Sequence, residues 1–224
     1  MNKIIKAFNS SIGRKTIMAL TGLFLCIFLI EHLYTNLLLY KDDAGAAFIE
    51  ASHSMVHNLL IRIIEIILFL AIIVHVLQAL NLTMQNNKAR PIKYAVNKVN
   101  QTSSWFSRNM GLTGSIIFFF LIIHLNTFFV SYRITGLEEG QNIAWKVKDA
   151  FSHAWYAGLY TIAMLFLGFH LNHGFHSAFQ SLGLNNKKYM PLLKMLATVF
   201  ALIMTLGFIS FPILFYFGLA GKTF

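Results

Sequence analysis

Nine histidines stand in this 224-residue sequence. Four of them, His32, His75, His124 and His170, fall inside long apolar stretches. A histidine in hydrocarbon is costly unless something uses it. Two of the four share a pattern. Leu20-Thr21-Gly22 is followed, ten residues after the glycine, by His32-Leu33, and Leu112-Thr113-Gly114 leads at the same interval to His124-Leu125. Helical rise converts positions into depths. His75 and His170 lie about 15 and 16–18 Å from the inner ends of their stretches, His124 about 20 Å and His32 roughly 24 Å from the inner ends of theirs. The four thus form an inner level, His75 with His170, and an outer level, His32 with His124. Two imidazoles at one depth on facing helices can ligate one haem iron axially, and two such ligands suit electron transfer rather than oxygen binding. The second ring N–H then needs an acceptor, expected to be a helix carbonyl one turn back. The alternative for each is a buried histidine bonded to a neighbouring helix.

Other residues fit around these levels. Gly22 and Gly114 lie roughly 15 Å inward of the outer histidines, where a missing side chain would admit a flat porphyrin; small-residue helix packing is the alternative. His173 and His176 follow His170 at intervals of three, on roughly its face, and could bond a haem propionate or approach the headgroups. Arg14, Lys15, Ser104 and Arg108 stand at inner span ends, as propionate partners or as topology-setting charges. Glu31 precedes His32, and Glu65 follows Arg62 by three residues, the spacing of a helical ion pair. Intramembrane acids also serve proton routes and quinone pockets. His53 and His57, four apart, read as a solvated pair rather than a metal site, and His153 as exposed.

The elements that position these residues are long apolar helices. The chain is 57% hydrophobic and 12% charged, which indicates a polytopic membrane protein. An all-α membrane protein of five transmembrane helices is expected, with spans at about 16–40, 59–84, 110–130, 154–182 and 191–219. The first four form a dihaem-binding bundle, and residues 1–224 make one membrane domain. The basic lead-in includes a short amphipathic helix around Ile4, Ile5 and Phe8. Residues 41–58 are a polar segment, 85–109 a basic loop with Lys88, Arg90, Lys93, Lys98 and Arg108, and 131–152 a mixed loop. The lead-in, the basic loop and the 183–194 turn hold twelve of the eighteen Lys and Arg and none of the eight acids. The positive-inside rule puts them in the cytoplasm, with the C-terminus outside. That topology explains the net charge of +10 better than nucleic-acid binding. Trp105, Trp145 and Trp155 read as interface anchors, Cys26 as a packing residue. No cleavable signal peptide is evident. The two Leu-Thr-Gly copies put spans one and three in register, a partial repeat of two hairpins.

The sequence resembles the five-span, dihaem cytochrome b subunits of succinate:quinone oxidoreductases, both succinate dehydrogenases and quinol:fumarate reductases. The resemblance runs over nearly the whole chain. It is carried by Gly22-Leu23-Phe24-Leu25 leading to His32, by Leu112-Thr113-Gly114 leading to His124, and by His170-Leu171-Asn172-His173-Gly174-Phe175-His176-Ser177-Ala178-Phe179-Gln180-Ser181-Leu182-Gly183. It implies two haem b groups, the distal one on His32 and His124 and the proximal one on His75 and His170. It also implies a bacterial inner (cytoplasmic) membrane location, a flavoprotein and an iron–sulfur subunit as partners, and a membrane quinone as substrate, menaquinone ahead of ubiquinone. The family's outer quinone site uses an acid after span one, which falls on Glu50, with His53 as the alternative; Glu31 and Glu65 are further quinone or proton candidates. An inner site near Ser11, Arg14 and Arg108 is the other location. Two departures stand out. His176 occupies a position where relatives often carry Trp, and Gly168 one where some dihaem fumarate reductases carry a Glu associated with proton transfer. One Cys and no dinucleotide fingerprint leave no place for an iron–sulfur cluster or flavin in this chain. The competing readings are a dihaem anchor of a nitrate reductase or hydrogenase, and a transporter whose histidines relay protons.

Overall fold

The computed structural model describes residues 10–88 and 105–222. Its longer helices are α1 (Ser11–Leu37, prolonged by a tight turn at Leu38–Tyr40), α2 (Ala46–His57), α3 (Leu59–Lys88), α4 (Met110–His124), α5 (Ile143–Ser152), α6 (Ala154–Ser181) and α7 (Met190–Tyr216), with one short turn of helix at Trp105–Arg108 before α4. Among the described residues there is no strand. Five helices are long and apolar enough to cross a membrane: Ser11–Tyr40, Leu59–Asn86, Met110–Arg133, Ala154–Ser181 and Met190–Tyr216. The five-span, all-α expectation agrees with this. The expected lead-in helix at Ile4, Ile5 and Phe8, the loop residues Arg90, Lys93, Lys98 and Ser104, and the Trp105 side chain lie outside the described residues.

The helix ends follow from local chemistry. Ser10 Oγ accepts from the Gly13 N–H at 3.0 Å and starts α1. Pro191 sits in the first turn of α7, where its missing N–H costs nothing. Gly183, at φ +90°, closes α6: its N–H donates to Gln180 O at 3.2 Å and the Leu184 N–H to Phe179 O at 3.0 Å. That bond pair satisfies two orphan carbonyls, and only glycine adopts the required left-handed backbone without strain.

Four helices form a closed ring in the order α1, α3, α4, α6, with α6 returning to α1. α1 and α4 therefore face each other across one diagonal, α3 and α6 across the other. α7 packs outside, along α6 and against α1. Two glycines permit that approach. A Cβ on Gly168 would collide with Thr205 Oγ1, and one on Gly207 would come within 2.8 Å of Leu33 Cδ2. Gly168 thus faces α7 in this chain. Gly168→Ala is expected to cost about 1–3 kcal/mol through overpacking, and an added Thr205→Ala to recover most of it. Thermal unfolding of the purified protein in detergent checks both.

Two segments outside the expected spans are helical. The polar stretch 41–58 contains α2, and the mixed loop 131–152 contains α5. The second has a clear cause: Ile143, Ala144, Val147 and Phe151 are buried on one face, a helical spacing within a segment whose charges mask it. Asn142 Oδ1 accepts from the Trp145 N–H at 2.8 Å as its cap. Both helices lie at the end of the bundle opposite the N-terminus, α5 against α6 and α7, α2 against α1 and α3. Trp155 is exposed, and Trp145 is partly so, at 39%.

The third span also differs from expectation. After His124 the helix widens over Leu125–Val130 before one more turn at Ser131–Arg133. The Thr135 N–H reaches back five residues to Val130 O at 3.0 Å. Such a turn takes in one extra residue, so the azimuth beyond it lags by about 100°. Arg133 would otherwise lie about 180° round the helix from His124; the wide turn brings it to about 80°.

Candidate functional site

The ring brings the four intramembrane histidines together in two pairs, one on each diagonal. The rings of His75 (α3) and His170 (α6) have centroids 6.4 Å apart at an interplanar angle of 67°. Those of His32 (α1) and His124 (α4) are 5.7 Å apart at 89°. The first pair is called inner here, being nearer the N-terminal end of the bundle, and the second outer. Thr21, which touches His75, and Thr113, which touches His170, each stand eleven residues before an outer histidine. The two levels are therefore about 16 Å apart along both α1 and α4.

The hydrogen-bond partners differ from expectation. The anticipated acceptor was a carbonyl one turn back on the same helix. Instead His75 Nδ1 meets Thr21 Oγ1 of α1 at 3.1 Å, and His170 Nδ1 meets Thr113 Oγ1 of α4 at 3.3 Å. In the outer pair, His124 Nδ1 meets the Tyr160 hydroxyl at 3.1 Å, which in turn bonds the Tyr156 hydroxyl at 2.8 Å. His32 Nδ1 lies 3.5 Å from the Asn36 amide, which also donates to the His32 carbonyl at 2.6 Å. A histidine side chain can be served by a neighbouring helix because the ring, not the backbone, projects into the bundle. The outer pair is wrapped in aromatic rings: Phe120 stacks on His124 at 5.7 Å, and Phe28 on His32 at 5.3 Å. Phe208 of α7 reaches His32 at 5.8 Å.

Gly22 and Gly114 both lie against an inner histidine. A Cβ on Gly22 would be 3.3 Å from His75 Cε1, and one on Gly114 3.5 Å from His170 Cε1. His173 and His176 meet edge to face at 5.2 Å, with His176 Nδ1 bonded to Asn172 O at 2.9 Å. Arg14 is half-buried, with its buried Nε unpartnered among the described residues, whereas Lys15 and Arg108 are exposed.

The acids are dispersed. Glu65 does not pair with Arg62, which is exposed. Its Oε2 lies 3.5 Å from Arg133 Nη2, across the gap between α3 and the end of the third span. The reason is the wide turn, which swings Arg133 inward, while Arg62 sits on the outer face of α3. Directly beneath, Phe69 meets Phe129 at 5.0 Å. Arg133 was not singled out by sequence, although a lone cation nine residues after the intramembrane His124 was a readable signal. Its Nε is buried without a partner among the described residues. Glu31 is exposed and accepts from Thr35 Oγ1 at 2.7 Å. Glu50 and His53 are exposed on α2, where His53 stacks on His57 at 4.0 Å. Among the described residues no three His, Cys, Asp or Glu side chains converge on a metal-sized site.

The family described as succinate dehydrogenase/fumarate reductase transmembrane subunit matches residues 86–208, more than half of the chain. The chain belongs to that family. No curated protein and no solved structure matches it. The matched stretch contains α4, α6 and most of α7, hence His124 and His170; His32 and His75 precede it. The protein is accordingly a membrane subunit of a succinate dehydrogenase or fumarate reductase complex, with catalytic partner subunits.

Proposed function

We propose that this subunit is a dihaem cytochrome b, which carries electrons between an iron–sulfur partner and a membrane quinone. The observation that carries the reading is the pairing of four intramembrane histidines on two diagonals. The fit to haem can be tested on distances. A metal–nitrogen bond of about 2.0 Å, with about 1.2 Å more to each ring centre, would put two imidazoles that share one metal about 6.4 Å apart. The inner pair has that separation, 6.4 Å. The outer pair, at 5.7 Å, needs its rings to part by a few tenths of an ångström each. A haem propionate also needs cations, and an unpartnered buried guanidinium nitrogen stands at either end of the bundle, on Arg14 and on Arg133. The residues therefore fit the group. His75 and His170 would hold one haem, with Arg14 as its anionic-group partner. His32 and His124 would hold the other, with Arg133. Bound there, each haem supplies one-electron transfer; the chain's own residues orient it, exclude water and balance its charge.

The basic end, rich in Lys and Arg, is the side we assign to the cytoplasm and to the iron–sulfur partner. We place the quinone site at the other end, beside Glu65 and Arg133. An apolar groove of about 590 Å³, separate from that pair, runs between α4 and α6 past Phe120, the residue stacked on His124, and ends at Trp155. It suits the apolar tail of a quinone held at that level. Glu50 and His53, exposed on α2, are the secondary proton donors of this reading, and Glu31 is the most peripheral.

Pyridine haemochrome on the purified protein is expected to give two haems b per chain. One or none would sink the dihaem reading.

A further inference from the structure

We infer that Thr21 and Thr113 are positioning residues that set the tautomer and ring orientation of the inner histidines, and through them the redox potential of the inner site. The inference rests on the haem reading above and deepens it. Each threonine hydroxyl has one proton. Thr21 donates it within α1, to Ile17 O at 2.8 Å or Met18 O at 3.1 Å. Thr113, fully buried at 1% exposure, donates to Met110 O at 3.2 Å. Both oxygens are then left as acceptors, which assigns the hydrogen to Nδ1 of His75 and of His170. In each ring the Nε2 lone pair is left free for a metal.

The adjacent glycine completes the holder. With the hydroxyl on Nδ1, bare backbone lies against Cε1, at the Cβ distances of 3.3 and 3.5 Å given above for Gly22 and Gly114. The same two contacts occur in both hairpins, from α1 to α3 and from α4 to α6. This explains the repeat. Each Leu-Thr-Gly…His copy is a two-level module: its histidine belongs to the outer pair, and its Thr-Gly holds the inner histidine of the next long helix. The outer pair has no equivalent. His124 faces a phenol and His32 an amide on its own helix.

An acceptor for the distal N–H raises the basicity of a ligating imidazole. A more basic ligand favours the oxidised iron, so loss of the acceptor moves the potential upward. Valine matches threonine in shape and removes only the hydroxyl function. Redox titration followed by visible and low-temperature EPR spectra, on the full chain with both haems, reads the effect. Thr21→Val and Thr113→Val are each expected to shift the inner haem upward and change its low-spin signal. The outer haem should stay at its wild-type potential, and Thr→Ser at either position should restore the wild-type values. A His170→Ala variant identifies which haem is inner. Loss of the inner haem in a Val variant but not in its Ser counterpart supports the same role. Wild-type potentials and signals in both Val variants overturn it, as does a shift confined to the outer haem. A wild-type protein without haem bands instead defeats the dihaem reading itself, so the two failures are distinguishable.

Discussion

A His170→Ala variant is expected to bind one haem per chain instead of two, and a His124→Ala variant likewise, with a different haem surviving. The physical basis is the separation of the pairs. His170 shares its site with His75 at 6.4 Å, and His124 shares its own with His32 at 5.7 Å. About 16 Å of helix lies between the levels. At the inner level the nearest further histidine on α6, His173, lies one turn from His170 and is engaged with His176. The outer level has Tyr160 beside His124, but its hydroxyl already joins His124 to Tyr156. Haem content should therefore fall by half in each single variant and to none in His124→Ala/His170→Ala. Pyridine haemochrome combined with redox titration measures both the number and the identity of the survivor. Loss of both haems in each single variant, with the helices intact by circular dichroism, would show that the pairs are not independent sites.

The second large effect is expected at the far end of the third span. Arg133→Leu should lose the outer haem selectively and destabilise the fold, whereas Glu65→Gln should keep both haems and lower quinone-linked turnover. Arg133 and Glu65 are only 15% and 26% exposed. Removing the arginine leaves a half-buried carboxylate without its cation, at a cost of about 1–3 kcal/mol. It also removes the unpartnered Nε assigned to the outer haem. Removing the charge at Glu65 leaves a neutral amide that still bonds the guanidinium, so structure should survive while a proton-exchanging group is lost. Haem quantitation, thermal unfolding and quinone-linked turnover on the assembled complex separate these outcomes. If Arg133→Leu keeps the outer haem and Glu65→Gln keeps full turnover, while Arg14 or Arg108 variants lose it with both haems present, the quinone site belongs at the basic end.

Much of this architecture was legible in the amino-acid order, for a definite reason. In a bilayer every backbone polar group must be satisfied within its own segment, so a long apolar run has to be a helix. Depth then follows from residue count, and the count placed His75 with His170 and His32 with His124. The asymmetry of Lys and Arg was equally visible, because charge position along the chain needs no knowledge of packing. The Leu-Thr-Gly repeat marked the two helices that carry outer histidines, although its Thr and Gly were not seen as a holder for the inner ones.

What the order of residues left open is azimuth. The spanning helices are apolar nearly all round, so no polar face announces which side looks inward. Only tertiary packing decides that Thr21 reaches His75 and Thr113 reaches His170, or that Gly168 admits Thr205 of α7 rather than lining the interior. The wide turn after His124 is the clearest case. It shifts Arg133 by about 100° and so exchanges the expected Arg62–Glu65 pair for Arg133–Glu65. Nothing in the run Leu125–Val130 separates it from ordinary helix by composition. The turn lies against α5, with Phe129 on Phe69 of α3 and Phe128 on Tyr160 of α6, and it decides that Arg133 rather than Arg62 meets Glu65.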